Sequence, residues 1–253
     1  MSEKKVAGII PARFGSSRLP GKPLADIAGK PMIQHVYEQC SKAVLLHELW
    51  IATDDERICH AVRNFNGNVM MTRPDHCCGT DRIAEAAADM DADIIVNIQG
   101  DQPFIDPGMI DQVVAPLLAN PAVQIATLKK PVEEEAALHD PAVVKTVTDL
   151  TGRALYFSRS LIPYPREKTN LRIYEHIGLY AYTKAVLLQI TRLQPTALEK
   201  TESLEQLRWL EHGYLIQVET ATDSDPLFHG FSVDTEADLL RAAELYKDRM
   251  NSF

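Results

Sequence analysis

The stretch IIPARFGSSRLPGKP, residues 9–23, gathers Arg13, Arg18 and Lys22 around Gly15, Ser16 and Ser17. Full positive charges beside a glycine and two hydroxyl-bearing residues suit a small anion: the glycine permits close backbone approach, and the serines add donors. Lys22 is followed by Pro23 and no GxGxxG occurs, so neither a P-loop ATPase nor a dinucleotide-binding fold is indicated. Carboxylates are the second chemical resource. NIQGDQP sets Asp101 just past an apolar run with Gly100 beside it, and Asp234 lies between a short apolar segment and a helical C-terminal stretch. A hard cation such as Mg²⁺ takes one or two protein carboxylates together with phosphate oxygens. From residue type alone Asp101 is equally a turn or capping residue. No Ser/His/Asp arrangement stands out, and a serine without an adjacent base is a weak nucleophile. The chemistry indicated by the loop is the binding of a phosphate or polyphosphate.

These residues need a scaffold. Val6–Ile10 is short and β-branched, which predicts a buried strand whose hydrogen bonding Pro11 ends. The basic loop then follows the carboxyl end of a first strand, where open α/β sheets bind ligands. Further apolar runs at Leu49–Ala52, Asp93–Ile98, Gln124–Leu128, Val143–Val147 and Gly178–Tyr182 alternate with helical segments at Pro31–Ala43, Asp55–Asn64, Asp81–Met90, Asp106–Leu118, Leu204–His212 and Glu236–Met250. Before the last helix, Thr235 and Asp238 form a weak capping box. The alternation predicts an α/β fold, a doubly wound and mostly parallel sheet flanked by helices. We read 1–253 as a single domain, with Leu155–Ile173, rich in proline, aromatic and basic residues, as an inserted arm.

Composition narrows the partners. The net charge of −9 argues against nucleic-acid coating, whereas residues 1–40 carry +3 against −12 for the remainder, a local positive site on an acidic chain. No apolar run nears the roughly 18 residues of a membrane span, and the N-terminus lacks a signal-peptide core. A cytoplasmic protein with no membrane insertion is expected. Cys40, Cys59, Cys77 and Cys78 have no CxxC spacing, which fits reduced thiols.

The chain also resembles a known family. IIPARFGSSRLPGKPLADIAGKPMIQHV, WIATDD (50–55), TRPDHCCGTDRIAE (72–85), NIQGDQPFI (97–105), YFSRSLIPYPR (156–166), YEHIGLYAY (174–182), ESLEQLRWLEHGY (202–214) and VDTEADL (233–239) are similar, in order, to the nucleotide-sugar cytidylyltransferases. The resemblance implies transfer of CMP from CTP to the acid sugar 3-deoxy-D-manno-octulosonate (Kdo), with release of pyrophosphate, for lipopolysaccharide assembly. It implies Mg²⁺ held by Asp101 and Asp234, catalytic roles for Arg13, Lys22 and Asp101, and a homodimer to which the arm contributes. Nucleotide contacts are implied for Pro11, Ala12, Arg13, Gly15, Ser16, Ser17, Lys22, Gly79, Arg82 and Gln99. Sugar contacts are implied for Arg159, Arg166, His176, Tyr180, Glu205 and Gln206. Arginine grips a carboxylate with two prongs, which suits Arg159 and Arg166 to an acid sugar. Read alone, the same arginines form a solvated arm, Tyr180 a core aromatic, and His176 a structural histidine. Two departures stand out: Cys77 and Cys78 replace a polar residue and a serine, and Gln102 replaces the acid of QGDEP. Rival readings are a cytidylyltransferase for a sialic-type sugar and a non-catalytic nucleotide sensor.

Overall fold

The structure is a computed structural model that describes residues 4–15, 18–167, 172–222 and 231–251. Ser16 and Ser17, both assigned to the nucleotide site, lie outside the described residues, as do 168–171 of the arm. The chain divides into two compact units, Met1–Asp111 with Asp223–Phe253, and Gln112–Thr222. Strand and helix alternation alone does not signal that division.

In the first unit, β1 (Val6–Ala12) leads through the basic loop to the small hairpin β2 (Asp26–Ile27) and β3 (Lys30–Pro31). The chain continues as α1 (Met32–Cys40), β4 (Glu48–Thr53), α2 (Glu56–Asn64), β5 (Val69–Met71), α3 (Gly79–Ala88), β6 (Ile94–Asn97) and α4 (Pro107–Ala119), within which the unit boundary falls. Strands β6, β1, β4 and β5 pair in that order, all parallel. Neighbouring residues such as Ile9 and Ile10 are both fully buried although they point to opposite faces. Burial on both faces is what a parallel strand requires.

Pro11 does not end the first strand, which runs through it to Ala12 and keeps Pro11 paired with Ala52 of β4. The reason lies in the alternation of backbone groups. The Val6 carbonyl accepts from His47 N–H on the β4 side, and the Ile9 carbonyl accepts from Ile98 N–H on the β6 side. Pro11 shares the parity of Ile9, so its missing N–H faces β6, where pairing stops at Ile9 and Asn97. Proline therefore ends the ladder on one side only.

In the second unit, β7 (Ile125–Pro131) is followed by α5 (Glu135–His139), β8 (Lys145–Thr148), β9 (Ala154–Ser158), β10 (Tyr174–Thr183), α6 (Lys184–Ile190), α7 (Ala197–Glu202), α8 (Glu205–Glu211) and β11 (Gln217–Thr220). Here β11 runs parallel to β7, whereas β7, β10, β8 and β9 pair antiparallel in that order. The parallel sheet expected from sequence is thus a property of the first unit, and antiparallel pairing dominates the second. The segment expected as an arm begins within β9, and its described residues 159–167 and 172–173 form no helix or strand.

The chain returns to the first unit with α9 (Glu236–Asn251). Thr235 and Asp238 cap it reciprocally, with Asp238 N–H donating to Thr235 Oγ1 and Thr235 N–H donating to Asp238 Oδ2. Leu239, Ala242, Leu245 and Tyr246 of α9 pack with Ile27, Met32, Phe104 and Val233. This cluster anchors the segment that carries Asp234.

Candidate functional site

The basic loop is held in shape by its own backbone. Gly21 N–H donates to the Phe14 carbonyl at 3.1 Å, and Gly21 adopts φ 70°, a left-handed conformation that suits glycine. A single 3₁₀ turn at Lys22–Leu24 follows. Phe14 lies against Gly21 and carries the Arg57 guanidinium over its ring at 3.3 Å. Lys22 is thereby aimed inward, with its side chain 14% exposed.

Two carboxylates meet it. Lys22 Nζ donates to Asp101 Oδ2 at 2.9 Å and to Asp234 Oδ1 at 3.0 Å, and Arg18 Nη2 donates to the same Asp234 Oδ1 at 2.9 Å. Asp101 follows β6, Lys22 follows β1 and Asp234 precedes α9, so residues far apart in sequence converge beyond the carboxyl ends of parallel strands. The joining contact is a backbone bond, Val233 N–H to the Asp101 carbonyl at 2.9 Å. Val233 is fully buried, which fixes its neighbour Asp234 beside the Asp101 loop. Two carboxylates that share one ammonium can share another cation, and an all-oxygen donor set beside basic residues fits a hard ion such as Mg²⁺.

These groups line a cleft of about 460 Å³ in the first unit. Of the residues assigned to nucleotide or metal from sequence, it brings together Pro11, Ala12, Arg13, Lys22, Gly79, Arg82, Gln99, Asp101 and Asp234. Gly15 is described but does not line the cleft, and nothing approaches the position its Cβ would take. Gly100 lines the cleft, and a Cβ there would stand 2.9 Å from the Pro11 carbonyl, so the glycine also admits the neighbouring strand.

Arg82 is 4% exposed, and its guanidinium is committed to protein acceptors. Nη2 donates to Asp54 Oδ2 at 2.7 Å, while Nη1 donates to Thr72 Oγ1 and the Arg73 carbonyl. It thereby braces the wall of the cleft that it also lines. Cys78 occupies the N-cap of α3, where its thiol, a weaker acceptor than a hydroxyl, accepts from Asp81 N–H at 3.4 Å. Cys77 is exposed at the cleft edge.

Sequence reasoning left several cleft residues without a role, His76 and Arg18 among them. His76 has its Nε2 on Glu85 and lines the cleft, but the two positions have no recognisable spacing. Arg18 was only one basic residue among several, and its contact with Asp234 bridges 216 positions.

The residues assigned to the sugar all belong to the second unit. Arg159 spends its guanidinium on backbone carbonyls, those of Glu202 at 2.7 Å, Pro141 at 2.8 Å and Ser203 at 3.4 Å. Arg166 is exposed. β10 shifts register between Ile177 and Tyr180, and Thr127 Oγ1 sits within 3.0 Å of the Ile177 carbonyl and 2.8 Å of the Leu179 carbonyl exposed by that irregularity. His176 Nε2 lies 3.0 Å from the same Oγ1. With the threonine proton on one of these carbonyls, the Nε2–H tautomer of the imidazole is the donor in this pair. Burial among Phe157 and Tyr180 pushes the His176 pKa down to about 3, which keeps the ring neutral. Burial first, then the charge of Glu205, raises the Tyr180 pKa well above its ordinary value, so its hydroxyl remains a donor. Tyr180 stacks on Tyr182 and meets the edge of Trp209. Glu205 and Gln206 open α8, with Gln206 buried.

The parallel α/β sheet, with clustered cations and a carboxylate pair past its strand ends, is that of a nucleotidyltransferase, the class to which the relatives of this chain belong. More narrowly, the chain belongs to the cytidylyltransferase family, whose model matches residues 7–219. It is 52% identical to the 3-deoxy-manno-octulosonate cytidylyltransferase of Geobacter sulfurreducens, over 96% of this chain and 99% of that protein. It is 50% identical to the protein of the same name from Geobacter metallireducens, over 95% and 97%. A solved structure of CMP:2-keto-3-deoxy-manno-octonic acid synthetase complexed with CTP superposes with a TM-score of 0.91 at 43% identity, covering 97% of this chain and 99% of that one. Among the described residues no helix is long and apolar enough to cross a membrane.

Proposed function

We propose that this chain transfers CMP from CTP to Kdo and releases pyrophosphate, supplying an activated sugar for lipopolysaccharide assembly in the cytoplasm. The observation that carries the reading is the convergence of Lys22, Asp101 and Asp234 in a basic cleft, on a chain about half identical to proteins of that name over nearly their whole length. The anomeric hydroxyl of the sugar attacks the α-phosphorus in line. A new P–O bond forms, the bond to the pyrophosphate oxygen breaks, and the hydroxyl proton passes to solvent or to the departing pyrophosphate.

No protein nucleophile enters this scheme, so the residues act by position and charge. Arg13 and Lys22 hold the triphosphate and offset the charge that builds on the leaving group. Asp101 and Asp234 would hold Mg²⁺, whose positive charge polarises the phosphate and the attacking hydroxyl when it is bound. Arg82 keeps the wall beside Gly79 in place through Asp54 and Thr72, so base contacts there fall to backbone groups. In the second unit, exposed Arg166 serves the sugar carboxylate. Arg159 holds the start of the arm, and His176 is a neutral, hydrogen-bonding residue rather than a proton donor. Tyr180, Glu205 and Gln206 offer hydrogen bonds to sugar hydroxyls.

A homodimer is part of the reading. Its support is the arm, where Leu155 is 61% and Tyr164 83% exposed, which leaves apolar side chains there for a second copy to cover. Sedimentation of the wild-type chain should show a dimer, and Leu155→Ser with Tyr164→Ser should weaken it. The activity itself is tested by pyrophosphate release from CTP and Mg²⁺ with a panel of acid sugars. Release with Kdo is expected. Faster release with a sialic-type sugar would reassign the acceptor, and CTP binding without release from any sugar would make the chain a sensor.

A further inference from the structure

The cations around Asp234 have a consequence beyond holding phosphate. Asp234 Oδ1 accepts from both Lys22 Nζ and Arg18 Nη2, and Lys22 also reaches Asp101 Oδ2. Two carboxylates thus face two cations, and the cluster is neutral as it stands. A divalent ion arriving alone must displace the Lys22 ammonium from a pocket where that side chain is only 14% exposed, and would leave two excess positive charges close together. A triphosphate changes the balance, because its oxygens give Lys22 and Arg18 new acceptors and free the carboxylates.

We propose that Arg18 and Lys22 couple the two ligands: they occupy the Asp101–Asp234 pair until a triphosphate draws them away, so a divalent cation binds there only together with the nucleotide. Arg18, which donates to Asp234 Oδ1, is then a positioning residue that keeps this carboxylate charge-balanced and oriented. The inference rests on the metal role given above to Asp101 and Asp234. By linkage the coupling is reciprocal, so cation and CTP must raise each other's affinity by the same factor.

The test uses Mn²⁺ as the probe, followed by electron paramagnetic resonance without nucleotide, on the wild-type chain, Arg18→Gln, Lys22→Gln, and the double variant Lys22→Gln/Asp101→Asn. Circular dichroism and thermal midpoints establish that each variant is folded. Lys22→Gln should bind Mn²⁺ at least about tenfold more tightly than wild type, within the 5–150-fold span usual for a coupling between ligands. Arg18→Gln should show a smaller gain, and the double variant should lose what Lys22→Gln gained. Equal Mn²⁺ affinity in wild type and Lys22→Gln would overturn the coupling, and so would a gain that survives Asp101→Asn. Calorimetric titration of wild type with CTP, in Mg²⁺ and in EDTA, separates this outcome from failure of the metal role itself. Cation-dependent CTP binding with unchanged Mn²⁺ affinity in the variants would sink the coupling alone, whereas CTP binding indifferent to Mg²⁺ would remove the cation from the site and the coupling with it.

Discussion

Replacing Arg82 by alanine tests whether this residue holds the cleft together or touches its occupant. The guanidinium side chain is 5% exposed and that of Asp54 17%, so the substitution strands a largely buried carboxylate. It also removes the donor from Thr72 Oγ1 and the Arg73 carbonyl. Removing one partner of a buried pair costs about 3–5 kcal/mol, and the residual water access of Asp54 sets the lower end, about 3 kcal/mol, as the expected value. For a chain of this size each kcal/mol lowers the thermal midpoint by about 2–4 °C, which gives a fall of about 6–12 °C. Arg82→Lys should recover only part of it, since one ammonium cannot span the acceptors that the planar fork spans. Scanning calorimetry reads the midpoint, and CTP affinity is measured in parallel at a temperature well below it. The expected pattern is a large loss of stability with CTP binding retained in the cold. A midpoint within about 1 °C of wild type with CTP binding abolished would refute the reasoning and make the guanidinium a nucleotide contact.

Asp101→Asn should lower turnover by more than about 100-fold while leaving the circular dichroism spectrum unchanged, because removing a direct metal ligand should exceed the 10–100-fold usual for outer partners; near-normal turnover would exclude Asp101 from the metal role. Lys22→Ala should act chiefly on CTP, and a KM effect confined to the sugar would place the loop on the wrong substrate. Cys78→Ser should raise the stability of the chain by about 0.5–1 kcal/mol in a denaturant titration, since a hydroxyl caps a helix better than a thiol. His176 has a folded pKa of about 3, below its unfolded value of 6.5, so the unfolded chain binds the extra proton and stability falls as pH drops through that window. Between pH 6.5 and 5 this one group should cost about 2 kcal/mol, and His176→Gln should flatten that part of the stability profile. An unchanged slope in the variant would mean the ring is not held neutral.

Much of the first unit was legible because its signals are local. Val6–Ile10 announces a strand covered on both faces, and Thr235 with Asp238 announces the start of α9 from their spacing. Pro11 misled because residue type says that an N–H is missing but not which neighbour would have received it. The second unit was harder. Lys145, fully buried, sits in a run expected as an apolar strand and donates to the carbonyls of Asp140, Val143 and Arg159. Arg159 in turn feeds carbonyls from distant segments. Long basic side chains in such a segment read as solvated, because sequence does not show which carbonyls the fold will bring within their reach.

The sequence by itself determined the chemical inventory: a basic loop after a buried strand, carboxylates at strand and helix boundaries, and motifs in the order of one enzyme family. Those features are fixed by residue type and short spacing, which hydrophobic periodicity and turn chemistry make readable. The tertiary structure alone decided which groups face one another. Arg18 and Asp234 stand 216 positions apart and meet at 2.9 Å, because buried Val233 ties its segment to the Asp101 carbonyl and α9 packs on Met32 and Phe104. Arg82 lines the cleft and also bonds Asp54 and Thr72, partners that its position in the chain does not reveal. Coulombic and hydrogen-bonding partners depend on distance in space, and only a packed core converts positions in a chain into such distances.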